Sequence, residues 1–238
     1  MTREQVDMRG VSFSKDQLSG TAFINVQGDG QNTIVVNPGA NASLTPGYVE
    51  ENRQIFSDAQ YCLIQMEIPL VSIETIVGIC KEEQVKVILK PSPVQPLPAA
   101  VLDDLFMFVP NQEELEEFVP GISTLEKKAR FLLDQGVRNV IVTLAEKGCI
   151  YVSREDCREY PAMEFPSIDS TGASDIFISC LAAQLSRGSD IDKAIRLATI
   201  AASYSVSKEG VQNAIINPDL LFDIYNGNSS LSVNPKKE

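Results

Sequence analysis

Residues 61–89 read YCLIQMEIPLVSIETIVGICKEEQVKVIL. Tyr61 to Met66 is a short apolar run of strand length. Pro69 to Glu83 repeats apolar residues at helical spacing, and Pro69 suits the first helical turn, where a missing N–H costs nothing. Val85 to Leu89 is a second β-branched run. A strand, a helix and a strand in this order make a βαβ unit, whose two strands run parallel under a crossing helix.

The rhythm continues on both sides. Thr45 to Phe56 is a helix candidate upstream. Downstream, Pro91 to Pro98 is a proline-rich loop, Leu105 to Val109 a strand, and a short acidic helix starts at Gln112. Thr124 to Gln135 is a helix stopped by Gly136. Asn139 to Leu144 is a strand, and Gly148 turns into another at Cys149 to Val152. Such alternation predicts an α/β fold of three layers, Rossmann-like, with a mainly parallel sheet covered by helices on both faces. Ligands of such sheets bind beyond the C-terminal strand ends.

Thr21 to Val26 and Thr33 to Asn37 break the rhythm. They read as a small β hairpin, with Gly28 to Asn32 as its turn. Gly28-x-Gly30 is no dinucleotide fingerprint, because no third glycine follows and the next segment is a strand. The chain therefore divides into residues 1–42, the remnant of a β lid and N-terminal region, and residues 43–238, an α/β domain.

Bulk properties narrow the chemistry. The 238 residues carry a net charge of −12 without a basic cluster, which disfavours nucleic acid as a partner. Any bound phosphate is then expected to rest on backbone N–H groups and a metal ion. No apolar run reaches membrane-span length and the start lacks a signal-peptide core, so a cytoplasmic location without membrane contact is expected. Cys62, Cys80, Cys149, Cys157 and Cys180 lack C-x-x-C spacing and read as reduced thiols. Histidine is absent, which excludes Ser-His-Asp and Cys-His catalysis and leaves a carboxylate, Lys, Tyr or Cys as general base.

The chemistry concentrates in Asp169-Ser170-Thr171-Gly172-Ala173-Ser174-Asp175, which runs into the helical stretch Ile176 to Arg187. The first turn of a helix has unpaired N–H groups and the positive end of the dipole, and small side chains let an anion approach. Asp175 beside that position is placed to take a proton from an attacking hydroxyl. On local pattern alone the same residues favour an ordinary capped helix, with Ser170 or Thr171 as cap and Asp175 favouring the dipole. Asn111 and Glu114 have the spacing of a capping box. The small residues between Asp192 and Lys208 suit either a flat ring or tight helix packing, and Gly210 fits a helix end.

Residues 169–175 are similar to the D-T-T-G-A-G-D signature of the ribokinase, or PfkB, carbohydrate kinase family. Gly20 to Ile24 and Asn32 to Asn41 resemble its lid region. Gln65-Met66-Glu67-Ile68-Pro69 resembles its Q-L-E-I-P segment, and Pro110-Asn111-x-x-Glu114 its P-N-x-x-E motif. Val142-Thr143-Leu144-Ala145-x-Lys147-Gly148 resembles V-T-L-G-x-x-G. Val206-Ser207-x-x-Gly210-Val211-Gln212 resembles V-T-x-x-G-A-Q. The matches keep their order and cover about residues 11–225.

The resemblance implies the ribokinase fold and transfer of the ATP γ-phosphoryl group to a primary hydroxyl of ribose or a similar small sugar, with Mg²⁺ and K⁺. Asp175 would be the base, and Gly172, Ala173 and Ser174 the anion hole. Asn111 and Glu114 would help place Mg²⁺ and the phosphates, and Glu67 would lie near the sugar. Thr143, Ala145, Gly148 and Thr199 would line the nucleotide. Asp169 and Thr171, with carbonyls near Ser205 and Gly210, would hold the monovalent cation. The lid would suit a homodimer.

The chain also departs from the pattern. Nothing matches the family's opening strand and G-G-x-x-x-N segment, so a truncated N-terminus with an open sheet flank is expected. Ser174 and Ala145 stand where the family has glycine, Lys90 where it has Asn, and Ala214 where ribokinases often have serine. These departures keep a second reading open, a nucleotide-binding relative without sugar turnover.

Overall fold

A computed structural model describes residues 6–26 and 32–228. The turn expected over Gly28 to Asn32 falls mostly outside them. On either side, β1 (Thr21–Val26) and β2 (Asn32–Asn37) pair antiparallel as a separate two-stranded sheet, with Phe23 opposite Val35.

The main sheet has six strands in sequence order: β3 (Tyr61–Gln65), β4 (Lys86–Lys90), β5 (Leu105–Phe108), β6 (Val140–Thr143), β7 (Cys149–Val152) and β8 (Cys157–Tyr160). From β3 to β6 neighbours run parallel; β6–β7 and β7–β8 are antiparallel. The helices are α1 (Pro46–Glu51), α2 (Gln54–Ser57), α3 (Leu70–Glu82), α4 (Ala99–Asp103), α5 (Gln112–Phe118), α6 (Leu125–Asp134), α7 (Ala173–Ser186), α8 (Ile191–Ser205) and α9 (Pro218–Tyr225).

The continuous apolar strands are explained by the two faces they serve. Side chains alternate across a strand, so Val87, Leu89, Phe108, Val140 and Val142 join the core under α3, α5 and α6. Ile88, Met107, Val109 and Ile141 point the other way, against Phe177 and Leu181 of α7 and Ala194, Ile195 and Ala198 of α8. Burying a side chain of this size stabilises by roughly 1.5–3 kcal/mol. A polar residue at any of these strand positions would therefore break one layer.

Several local expectations change. The helix expected over Thr45 to Phe56 is two helices, because the Asn52 side-chain amide donates to Tyr48 O at 2.8 Å and competes with the backbone ladder. Pro69 is the N-cap of α3 rather than its first helical residue, with ψ at 136°. Strand β8 carried no apolar signal: of its four residues only Tyr160 is buried. Helices α4 and α9 were not anticipated either. The open flank is present, since β3 pairs only with β4 among the described residues and Leu63 is 45% exposed. Among the described residues no helix is long and apolar enough to cross a membrane.

Candidate functional site

A cavity of about 740 Å³ opens beyond the C-terminal strand ends, between the β6–β7 turn and helices α7 and α8. Its sheet side is formed by Asn111, Thr143, Ala145 and Gly148. The turn depends on Gly148: at φ 95° an added Cβ would sit 1.9 Å from Tyr160 O. Ala145 also has positive φ, 51°, which explains why glycine suits that place.

Thr199, Ala202 and Ser203 of α8 form the far wall. The small residues of α8 divide between two faces. Ala194 and Ala198 let α8 pack against α7, while Ala202 and Ser203 face the cavity. Cys149 lies beneath, with its Sγ 3.7 Å from Thr199 Oγ1, and burial pushes its thiol up to about 12.

Helix α7 begins without a side-chain cap, which overturns the capped-helix reading. Its N-cap is Gly172 at φ 78°; there a Cβ would meet Val211 at 2.8 Å. Ser170 contributes its carbonyl, accepting from Ala173 N at 3.2 Å, and the Thr171 amide turns away to Asp169 Oδ1 at 2.9 Å. Among the described residues the amides of Ser174 and Asp175 have no acceptor. Ala173 and Ser174 line the cavity at that point. This leaves bare peptide donors at the positive end of a helix of 14 residues, an arrangement that suits an anion.

Asp175 lies exposed in the first turn of α7. Its Oδ1 accepts from Gln65 Nε2 at 2.8 Å, across 110 residues of sequence. Gln65 is the last residue of β3 and is the main contact that sequence reasoning missed. Its position at a parallel strand's C-terminal end was the available sign. Glu67, expected near the sugar, is exposed at the same sheet end and does not line the cavity.

Asp169 and Gly210 are brought together: Gly210 N donates to Asp169 Oδ2 at 3.1 Å. Val206 O accepts from the amides of both Ile168 and Asp169, at 2.7 and 3.1 Å. The Thr171 hydroxyl, with the Thr171 and Gly210 amides, holds the Asp169 carboxyl below the usual carboxylate range. Gly210 does not end α8, as had been expected. That helix stops at Ser205 with Val206 as C-cap, and Gly210 sits in the turn beyond at φ 78°. Ser205 O accepts from Lys208 N at 3.1 Å.

Asn111 and Glu114 form the capping box in full. Asn111 Oδ1 accepts from Glu114 N, and Glu114 Oε2 from Asn111 N, both at 2.7 Å. Glu114 is taken further: Lys90 Nζ lies 2.8 Å from each of its carboxylate oxygens, and both side chains are nearly buried. Each carboxylate oxygen of Glu114 therefore already accepts from Lys90, and Oε2 also from the Asn111 amide. Among the described residues no three His, Cys, Asp or Glu side chains gather as a metal site. The donor set does not build a Mg²⁺ cage from protein alone. The ammonium of Lys90 already balances the charge of Glu114. Asn111 keeps its place on the cavity wall.

The pfkB family carbohydrate kinase pattern matches residues 1–218. The chain is 32% identical to a ribokinase of Haemophilus influenzae over 219 residues, covering 90% of this chain and 71% of that protein. It is 30% identical to a deoxyribokinase of Salmonella typhi over 201 residues, covering 82% of this chain and 66% of the relative. Among solved structures, an Arabidopsis thaliana ribokinase complexed with ribose and ATP superposes with a TM-score of 0.81 at 25% identity, covering 88% of this chain and 70% of that one. The chain spans 41% to 71% of the length of the curated relatives it matches. With the mainly parallel sheet, the separate hairpin and the uncapped helix at the strand ends, these likenesses place the chain in the pfkB family of carbohydrate kinases.

Proposed function

We propose that this chain is the nucleotide-binding and catalytic part of an ATP-dependent kinase that phosphorylates a primary hydroxyl of ribose or a similar small sugar. The observation that carries this reading is the uncapped start of α7 at the cavity mouth, with the Asp175 carboxylate in its first turn. The ribokinase and deoxyribokinase relatives support a pentose as acceptor. The Arabidopsis complex supports ATP in the cavity.

In this reading Asp175 accepts the proton of the sugar hydroxyl as its oxygen forms a bond to the γ-phosphorus. The bond from that phosphorus to the bridging oxygen breaks, and ADP leaves. The amides of Ser174 and Asp175 hold the phosphoryl oxygens where negative charge collects. Asn111 and Glu114 would help place Mg²⁺ and the phosphates, and the metal would supply neutralisation of the phosphate charge. Thr143, Ala145, Gly148 and Thr199 would border the nucleotide. Glu67, at the sheet end beyond Gln65, would face the sugar. Asp169 and Thr171, with carbonyls near Ser205 and Gly210, would hold a K⁺ ion. Phe23 and Val35, paired and exposed on the two-stranded sheet, suit a lid that meets sugar or a second copy. The protein would work in the cytoplasm.

Ser174 fits this reading. It lies inside α7 and outside the left-handed region, so replacing glycine there costs little backbone strain. The test is ADP release by the purified protein with MgATP and a panel of ribose, 2-deoxyribose, fructose and nucleosides. Turnover that requires a pentose supports the proposal. ADP release that no sugar stimulates would remove it.

A further inference from the structure

We infer that Gln65 is a positioning residue for the general base: it holds one oxygen of Asp175 so that the other faces the acceptor hydroxyl. The inference rests on the catalytic reading of Asp175 given above and adds to it a residue that acts only through that carboxylate.

The geometry is specific. Gln65 Nε2 donates to Asp175 Oδ1 at 2.8 Å, and Asp175 Oδ2 has no protein donor among the described residues. A carboxylate on one flexible bond rotates freely unless one oxygen is held. A donor on Oδ1 fixes that rotation and leaves Oδ2 free for a proton. Ser179 does not share this task, since its hydroxyl donates to the Asp175 backbone carbonyl.

The donor itself stands on a rigid base. Gln65 closes β3 in register with Lys90 of β4. The next residue, Met66, is buried; its amide donates to Ser92 O at 3.0 Å, and its carbonyl accepts from Gln95 Nε2 at 3.2 Å. Gln65 therefore projects from a clamped strand end towards the helix start. A surface glutamine has many rotamers, and holding one costs side-chain entropy. This contact would hold the base at a fixed distance from the bare amides of α7, and transfer rates depend steeply on such placement.

The experiment is a double-mutant cycle with Gln65→Leu and Asp175→Asn, read as kcat and KM with MgATP and the best sugar, with nucleotide affinity by calorimetry and melting temperature alongside. Gln65→Leu is expected to lower kcat about ten- to a hundredfold while KM for ATP and the melting temperature stay close to wild type. In the Asp175→Asn background the same change is expected to cost nothing further, because no base remains to be placed. Gln65→Asn, shorter by one methylene, is expected to fall between wild type and Gln65→Leu. A purely structural tie between β3 and α7 would lower kcat by the same factor in both backgrounds and lower the melting temperature; that result overturns the inference. An active wild type with unaffected Gln65→Leu overturns the inference alone. A wild type without sugar-dependent turnover overturns both it and the catalytic reading.

Discussion

Lys90 Nζ lies 2.8 Å from both carboxylate oxygens of Glu114, with only 7% of the lysine side chain and 12% of the glutamate side chain exposed. The pair joins the end of β4 to the first turn of α5, where Glu114 also completes the capping box with Asn111. Removing one partner of a buried pair leaves an uncompensated charge, at a cost of about 3–5 kcal/mol. Lys90→Met is therefore expected to lower the urea midpoint by that equivalent. Adding Glu114→Gln, which keeps an acceptor for the Asn111 amide, should restore most of the loss. Equal midpoints for wild type and Lys90→Met would show that the pair carries no stability.

Ala145 sits at φ 51° in the turn that borders the cavity. A left-handed alanine is strained by about 1–2 kcal/mol, partly offset by its stiffer unfolded chain. Ala145→Gly should stabilise the fold by roughly 0.5–1 kcal/mol. Gln84, at φ 59° after α3, provides a control away from the site and should behave alike. A destabilised Ala145→Gly in chemical denaturation would contradict this account of the turn.

Asp169 supplies a pH test. Its folded carboxyl is held below the usual range, chiefly by the Thr171 hydroxyl and then by the Thr171 and Gly210 amides. Its contribution to stability is thus fully present above the ordinary carboxylate pKa and fades as pH falls through the lowered folded value. The melting temperatures of wild type and Asp169→Asn should differ at neutral pH and converge in acid below the carboxylate range. A gap that persists unchanged into acid would mean that the ionised form is not what joins residues 168–169 to the 206–210 turn.

The cysteines make a simple prediction. All five are free; Cys149 is buried with its thiol pushed up to about 12, whereas Cys157 is exposed on β8. Peptide mapping after maleimide labelling at neutral pH should find Cys157 modified first and Cys149 only after unfolding. Rapid labelling of Cys149 in the native protein would show the cavity floor to be open.

The layers of the fold were legible because apolar strands alternating with amphipathic helices admit few arrangements. Val87 to Leu89 and Val140 to Val142 are buried on both faces and announce this in composition alone. Strand β8 was not legible: it is an edge, and Cys157, Arg158 and Glu159 face solvent. In the site, the small residues before α7 marked where to look, but only the structure showed the helix start to be uncapped. What could not be read were contacts between distant segments. Gln65 and Asp175, and Lys90 and Glu114, meet because the sheet gathers its strand ends, and Asp169 meets Gly210 because the backbone before α7 is tied to Val206 after α8. No local pattern distinguishes such partners from solvent-exposed polar residues.

The central claim is that Asp175 takes the acceptor proton at the open start of α7. Its most direct measurement compares the sugar-dependent kcat of wild type and Asp175→Asn, with ATP affinity measured by calorimetry on both proteins. The account predicts a loss of about 10²–10⁴ in kcat with ATP affinity nearly unchanged. Sugar-dependent turnover by Asp175→Asn at the wild-type rate would contradict it.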